Sequence, residues 1–122
     1  MTVRILTCLE KRELAGQVFR DQQFDEVDFS GANLSGARFE SVSLQSCDFR
    51  HADLRGAAFI NCDLRGACLF EAALGDNDFV GSWFAGVAGL TVEQIRYVFR
   101  KGGTFSTIGK PPTAPSSRQD TP

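Results

Sequence analysis

Four cysteines and one histidine are the residues of this 122-residue sequence that could support a metal site or a catalytic nucleophile. A zinc site normally needs closely paired cysteines or several histidines, but Cys8, Cys47, Cys62 and Cys68 form no CxxC pair and His51 stands alone. His51 also has no evident nucleophile partner, and the sequence holds no glycine-rich phosphate loop. We therefore expect no catalytic, metal or cofactor site, and we predict that the protein is not an enzyme.

The elements that would have to position such residues follow a five-residue repeat, a period that belongs to neither a helix nor a strand. Every fifth residue from Leu14 to Phe84 is leucine or phenylalanine. From Val27 to Ala72, the residue two places earlier is always Val, Ala or Cys. The other three positions carry Asp, Asn, Ser, Arg, Gly and Gln, which suits short extended segments joined by tight corners. Two inward positions per unit are therefore predicted.

The small inward position accounts for two of the cysteines. Cys47 and Cys62 occupy it, so we interpret them as buried core residues, whereas Cys68 falls on an outward position. Four units carry a polar residue at the small position, and we interpret them as loosening of the repeat toward its ends: Gln17, Gln22, Asn77 and Ser82.

The identity of the large inward residues indicates how many units make one turn. Taken every twenty residues, the column that starts at Leu14 is all leucine and the column that starts at Phe19 is all phenylalanine, whereas taken every fifteen the two types mix in every column. Stacked identical side chains interlock along an axis, so four sides per turn are favoured. The predicted core ladder includes Leu34, Phe39, Leu54, Phe59, Leu64, Leu74 and Phe79.

The runs SGANLSGARF, RHADLRGAAF and NCDLRGACLF match the A(D/N)LXX signature and resemble pentapeptide-repeat proteins. The resemblance spans residues 12–86. It implies an all-β solenoid, a right-handed quadrilateral β-helix of just under four coils. The predicted domains are an N-terminal cap at 1–11, the β-helix at 12–86, a C-terminal capping helix and extension at 87–108, and a disordered tail at 109–122.

A helix should follow the repeat in GLTVEQIRYVFRKGG, because Thr91 and Gln94 can form a capping box and Gly102 can end it. One stripe of this helix is predicted to cover the last coil: Val92, Ile95 and Phe99, with Val98 beside it. Family members often pair through a C-terminal element. The resemblance therefore adds a homodimer as an alternative to a monomer, with Tyr97 or Val98 as exposed contacts.

Charge is unevenly distributed along the chain. The net charge of −2 gives no reason to expect binding to nucleic acid or to an anionic membrane. Residues 27–86 carry a balance of −4, however, and residues 87–122 a balance of +3. Three aspartates stand two residues before an arginine, which favours local ion pairs, and two aromatic residues fall on outward positions. The candidate partner surface therefore comprises Asp48, Asp53, Asp63, Phe70 and Trp83. The alternative for the two aromatic residues is packing beneath the terminal helix or against a neighbouring segment, which is favoured for Trp83.

These features favour a non-enzymatic interaction module or structural scaffold with an unidentified protein partner. The resemblance implies one alternative, because quinolone-resistance members of the family bind DNA gyrase or topoisomerase IV, some by imitating duplex DNA. The short rod and modest charge depart from that pattern. A second alternative is self-assembly through the coil ends, which leave strand edges unpaired. Without a membrane-length apolar run or a secretory signal, a cytoplasmic location is expected.

Overall fold

The computed structural model describes residues 8–106, so the predicted tail and most of the predicted N-terminal cap lie outside it. The chain winds into a square coil in which parallel backbone pairing joins residues twenty apart, or 21 apart in the last pair, Trp83 and Thr104. One side is a three-stranded parallel sheet in which Phe19, Phe39 and Phe59 lie in register. Its strands are β1 (Val18–Arg20), β2 (Arg38–Glu40) and β3 (Ala58–Ile60).

The other sides are held by single parallel bridges rather than by longer strands. We number the sides in chain order and call the sheet side 3. Side 1 contains Cys8, Asp28, Asp48, Cys68 and Ala88. Side 2 contains Glu13, Asn33, Asp53 and Ala73, and side 4 contains Gln23, Ser43, Asp63, Trp83 and Thr104. The predicted four-sided solenoid is confirmed, and among the described residues its pairing includes Cys8, upstream of residue 12.

The corners between sides explain the period of five. Every fifth residue from Lys11 to Gly86 has a positive φ, which turns the chain from one side to the next. Glycine takes this conformation at no steric cost and occupies corners such as Gly31 and Gly36. Residues with a side chain also adopt it, and His51 is one of these corner residues, with φ of 62°.

The interior is a continuous stack of apolar side chains. The Phe39 and Phe59 rings are stacked with centroids 4.7 Å apart, and Phe29 and Phe49 are stacked at 5.0 Å. The small inward residues from Val27 to Ala72 are buried as well. The predicted core ladder is buried at six positions and half-buried at the seventh: Leu34, Phe39, Leu54, Phe59, Leu64 and Phe79 are buried, and Leu74 is half-buried.

The C-terminal end of the coil is covered by helix α1 (Val92–Arg100) and by the segment that follows it. The predicted Thr91–Gln94 capping box is present, with both of its hydrogen bonds. Beyond the helix, the Phe79 N–H donates to the Lys101 carbonyl at 2.9 Å, and the Phe84 N–H donates to the Thr104 carbonyl at 2.7 Å. The segment therefore adds a partial fifth layer to sides 3 and 4. Within the described range, the structure has no helix with the length and apolarity that crossing a bilayer requires.

Helix α1 is rotated relative to the sequence-based prediction. Val98 is fully buried and Tyr97 half-buried, so they are not the exposed contacts that were predicted. The stripe expected to cover the coil is instead in solvent, with Val92, Ile95 and Phe99 exposed by 64%, 41% and 68%. The physical reason is space, because Phe79, Phe84 and the returning segment nearly fill the end of the coil. A Cβ added to Gly103 would lie only 2.6 Å from the Val98 side chain and 2.9 Å from the Phe84 ring.

Candidate interaction surfaces

Near its C-terminal end, the described interior of the coil has no room for a substrate. The space enclosed near the C-terminal end is lined by eight apolar side chains and cannot hold a water molecule: Leu54, Phe59, Leu64, Leu69, Leu74, Phe79, Phe84 and Val98. Catalytic and ligand pockets are typically a few hundred Å³. The described interior at this end therefore provides no pocket of that size.

The inward cysteines serve as small hydrogen-bond donors. The Cys47 thiol lies 2.9 Å from the Phe24 carbonyl oxygen, and the Cys62 thiol lies 3.3 Å from the Phe39 carbonyl oxygen. Burial raises the pKa of both thiols to about 12, so neither forms a reactive thiolate near neutral pH. Among the described residues, ligand atoms of Cys8, Glu10 and Asp28 lie within 4.8 Å of one another. Three such groups fall short of the four ligands of a structural zinc site.

We expect thiol labelling to follow this burial. In the native protein an aromatic disulfide reagent should react first with exposed Cys8, while Cys47 and Cys62 should react only on unfolding, because their thiols are buried and protonated. Mass spectrometry of a labelling time course checks the order, with Cys8→Ser as the control that removes the fast phase. Rapid labelling of native Cys62 would contradict the prediction.

Two of the polar residues that we interpret from the sequence as loosening of the repeat lie inside the coil. Asn77 and Ser82 are 4% and 0% exposed, and both donate to backbone carbonyls of the preceding coil. Cys47, Cys62, Asn77 and Ser82 all donate to the Leu or Phe residue 23 positions earlier. In the sequence, a residue with a hydrogen-bond donor at the otherwise apolar small inward position is the pattern that indicates this bond. Only Gln17 and Gln22, in the first coil, are exposed as expected.

Asn77 also fastens helix α1 to the coil. Its Nδ2 donates to the carbonyls of Leu54 and Ala57 at 2.6 and 2.8 Å. The Tyr97 hydroxyl accepts the Asn77 N–H at 2.8 Å and donates to Asn77 Oδ1 at 3.1 Å. One buried amide therefore joins two coils and the capping helix. No motif in the sequence indicates this role, since it depends on where Tyr97 lies after folding.

The three candidate aspartates are engaged in the coil itself. Asp48 and Asp53 each accept hydrogen bonds from the backbone N–H and the guanidinium of the arginine two residues later. Hydrogen bonds from Arg50 and Arg55, respectively, hold the pKa of Asp48 and Asp53 below its usual range. Asp63 has the same bonds to Arg65 but is fully buried. It is therefore not part of the exposed partner surface on which the sequence analysis placed it.

The outward tryptophan is covered in part by the same arginine. The Arg65 guanidinium lies 5.4 Å from the centre of the Trp83 ring, with Asp63 paired to Arg65 at 2.7 Å. Trp83 is half-buried and bridges to Asp63 and Thr104 on side 4. Carboxylate, guanidinium and indole thus form one packed layer. Trp83 packs against neighbouring segments rather than standing free.

Phe70 is the predicted surface residue that remains open. Its side chain is 50% exposed on side 1. The His51 ring meets it edge-on with centroids 6.4 Å apart, and His51 Nδ1 lies 3.1 Å from a Glu71 carboxylate oxygen. The Phe70 backbone is closely packed: its carbonyl accepts the His51 N–H at 3.0 Å, and a Cβ added to Gly89 would lie 2.4 Å from the Phe70 nitrogen. Phe70, His51, Glu71 and the Asp48–Arg50 pair form what we call the Phe70 patch.

Comparison with known proteins decides the family. Eight copies of the family model for pentapeptide repeats match residues 13–40, 23–57 and 37–76, which together cover more than half of the chain. The chain belongs to the pentapeptide-repeat family. No curated protein matches it significantly.

One solved structure of another pentapeptide-repeat protein shares the architecture. A pentapeptide repeat protein from the Arabidopsis thaliana thylakoid lumen is 24% identical, with 90% of this chain and 88% of that chain covered and a TM-score of 0.59. Rfr23 from the cyanobacterium Cyanothece 51142 is 16% identical over 72% and 95% of the two chains, with a TM-score of 0.33. QnrB1, a plasmid-mediated fluoroquinolone resistance protein, is 16% identical over 81% and 65%, with a TM-score of 0.36. The right-handed quadrilateral β-helix is confirmed.

The geometry gives a physical reason for the family's Asp or Asn position in this pentapeptide-repeat protein. The side-chain Oδ1 accepts the backbone N–H two residues later at Asp28, Asn33, Asp48, Asp53, Asp63 and Asp78. Such bonds stabilise the turn into each corner. The signature therefore reports a structural requirement of the coil.

Proposed function

We propose that this pentapeptide-repeat protein is a non-enzymatic interaction module that binds a protein partner through the Phe70 patch. The observation that carries this proposal is the half-exposed Phe70 ring on a rigid side of the coil. An aromatic residue surrounded by polar groups is a common anchor in protein interfaces. His51, Glu71 and the Asp48–Arg50 pair supply that polar surround.

Rigidity supports the choice of this patch over the other exposed groups. The Phe70 backbone lies between the preceding coil, where the His51 N–H donates to its carbonyl, and Gly89, which packs closely against its nitrogen. A fixed backbone lowers the entropic cost of ordering the anchor on binding. Trp83 and Asp63 are already packed, and Asp48 and Asp53 are neutralised by their arginines. Among the five residues of the predicted partner surface, Phe70 has the most exposed apolar area.

Binding to a type II topoisomerase by imitation of DNA remains the alternative from the family. Its mechanism needs a strongly negative surface, and the aspartate–arginine pairs reduce the negative field of this short rod. A gyrase supercoiling assay tests it directly. Unchanged supercoiling and unchanged quinolone sensitivity in the presence of the protein would reject this alternative.

Two further alternatives are forms of self-association: stacking through the coil ends and a homodimer through α1. Stacking at the C-terminal end would require α1 and residues 101–104 to move away. A homodimer through α1 would have to use Val92, Ile95 and Phe99, because Tyr97 and Val98 face the coil. Light scattering at high protein concentration tests both forms.

Site-specific photocrosslinking tests the proposed patch. A photoreactive amino acid replaces Phe70 in one variant and Val18 in a matched control, because their side chains are 50% and 48% exposed on different sides of the coil. In cells of the source organism, position 70 should give a discrete protein adduct that position 18 does not give. Equal adducts at both positions, or none at position 70, would overturn the proposal.

A further inference from the structure

The exposed face of helix α1 is the largest feature of the surface that the Phe70 patch does not explain. The helix buries one apolar side chain, Val98, against the coil and leaves three in solvent. Val92, Ile95 and Phe99 are three and four residues apart, which places them on one stripe. A helix that served only as a lid would turn this stripe inward. The orientation therefore calls for something outside the coil to cover it.

Exposed basic side chains lie on α1 and at its C-terminal end. Arg96, Arg100 and Lys101 are exposed, and Glu93 is the acidic residue of the helix. Arg100 and Lys101 lie 6.0 and 5.8 Å from the centre of the Tyr97 ring, which holds both cations at the C-terminal end of α1. The local charge is thus positive, opposite to that of the coils. The net charge of the whole chain conceals this contrast.

The capped end of the coil presents a surface that is separate from the four sides. Val98 closes the interior beside Phe79 and Phe84, while the chain enters α1 from side 1 and leaves it toward side 3. Helix α1 therefore crosses the end of the coil with its apolar stripe directed away from the coils. The four sides, including the Phe70 patch, do not share this surface.

We propose that this capped end docks onto an anionic lipid surface. A short amphipathic helix with an apolar stripe, bordering arginines and lysines, and low overall hydrophobicity is the kind that lies in a membrane interface. Val92, Ile95 and Phe99 would enter the boundary between headgroups and acyl chains. Arg96, Arg100 and Lys101 would contact the anionic headgroups.

A second copy fits the same surface less well. It would bring the same positive excess across the interface, where complementary charge is needed. The nine residues of α1 span roughly 14 Å at 1.5 Å per residue. With a helix diameter of about 10 Å, the footprint is on the order of 150 Å². A standard protein interface buries about 800 Å² on each partner, whereas a lipid surface needs no matching contour.

Vesicle flotation with the full chain tests the proposal. The protein should float with vesicles made of equal parts phosphatidylcholine and phosphatidylserine, and should stay behind with vesicles of phosphatidylcholine alone. High salt should release it, because screening weakens the contacts between cations and headgroups. Phe99→Ser and the double variant Arg96→Glu/Arg100→Glu should each reduce binding at least about tenfold.

Matched variants separate this site from a general effect of charge or apolarity. Val80→Ser changes a side chain that is 53% exposed on side 3, and Arg12→Glu reverses an exposed charge in the first coil. Both should bind vesicles as the unmodified chain does, and circular dichroism verifies that every variant is folded. Absence of flotation, or flotation unaffected by the α1 variants, would overturn the proposal. A dimer in light scattering that Phe99→Ser dissociates would assign the stripe to a second copy instead.

Discussion

Replacing Phe59 with alanine is expected to lower the free energy of unfolding by about 3–5 kcal/mol. The Phe59 ring is fully buried. It is stacked on the Phe39 ring with centroids 4.7 Å apart, and its centroid lies 6.1 Å from that of Phe49 and 5.9 Å from that of Phe79. Removing it leaves a cavity in the middle of the ladder that stacked backbones cannot close. Urea unfolding followed by circular dichroism measures the change.

Phe70→Ala is the matched control, since the same ring is removed from a half-exposed position on side 1. Its effect on the free energy of unfolding should stay within about 0.5 kcal/mol. Similar losses for the two variants would show that the ladder does not dominate stability. A smaller loss at Phe59 than at Phe70 would contradict the burial in this structure.

Replacing Asn77 with aspartate is expected to have the second largest effect, about 3 kcal/mol near neutral pH. The change is nearly isosteric, but it places a carboxylate oxygen against the carbonyls of Leu54 and Ala57, where the amide now donates. Burial and this repulsion should raise the pKa of the new carboxyl above its unfolded value of about 3.9. The loss should therefore be least below that pH and grow as the pH rises.

Asn61→Asp is the control for this substitution, because Asn61 is an exposed corner residue on the same side of the coil. Thermal unfolding from acidic to neutral pH should separate the two variants increasingly as the pH rises. Parallel curves for the two would mean that the buried Asn77 amide is not needed as a donor to the Leu54 and Ala57 carbonyls.

The repeat and its four sides could be predicted because most units make the same local choices. Leu or Phe inside, a small residue two places earlier, and a turn-forming residue at the corner agree over many units, and like-on-like columns distinguish four sides from three. The capping box of α1 was equally local and could be predicted from Thr91 and Gln94.

What could not be predicted depends on volumes and neighbours set by the fold. The rotation of α1 follows from how little space Phe79, Phe84 and Gly103 leave for Val98. Asp63 is buried because it is covered by Arg65 of the same coil and by Trp83 of the next coil. The role of Asn77 requires Tyr97, twenty residues away, to be in place. None of these relations is visible as a period or a motif.

Because paired positions are twenty residues apart, the number of five-residue units between two surfaces sets the angle between them around the coil axis. Each five-residue unit carries the chain through a quarter turn and four units through a full turn, a rise of about 4.8 Å. One unit inserted between Phe70 and α1 would therefore rotate the capped end by a quarter turn relative to the Phe70 patch. Four inserted units would restore the alignment and only lengthen the rod. Duplication of whole coils is thus the change in length that preserves how the two surfaces face one another.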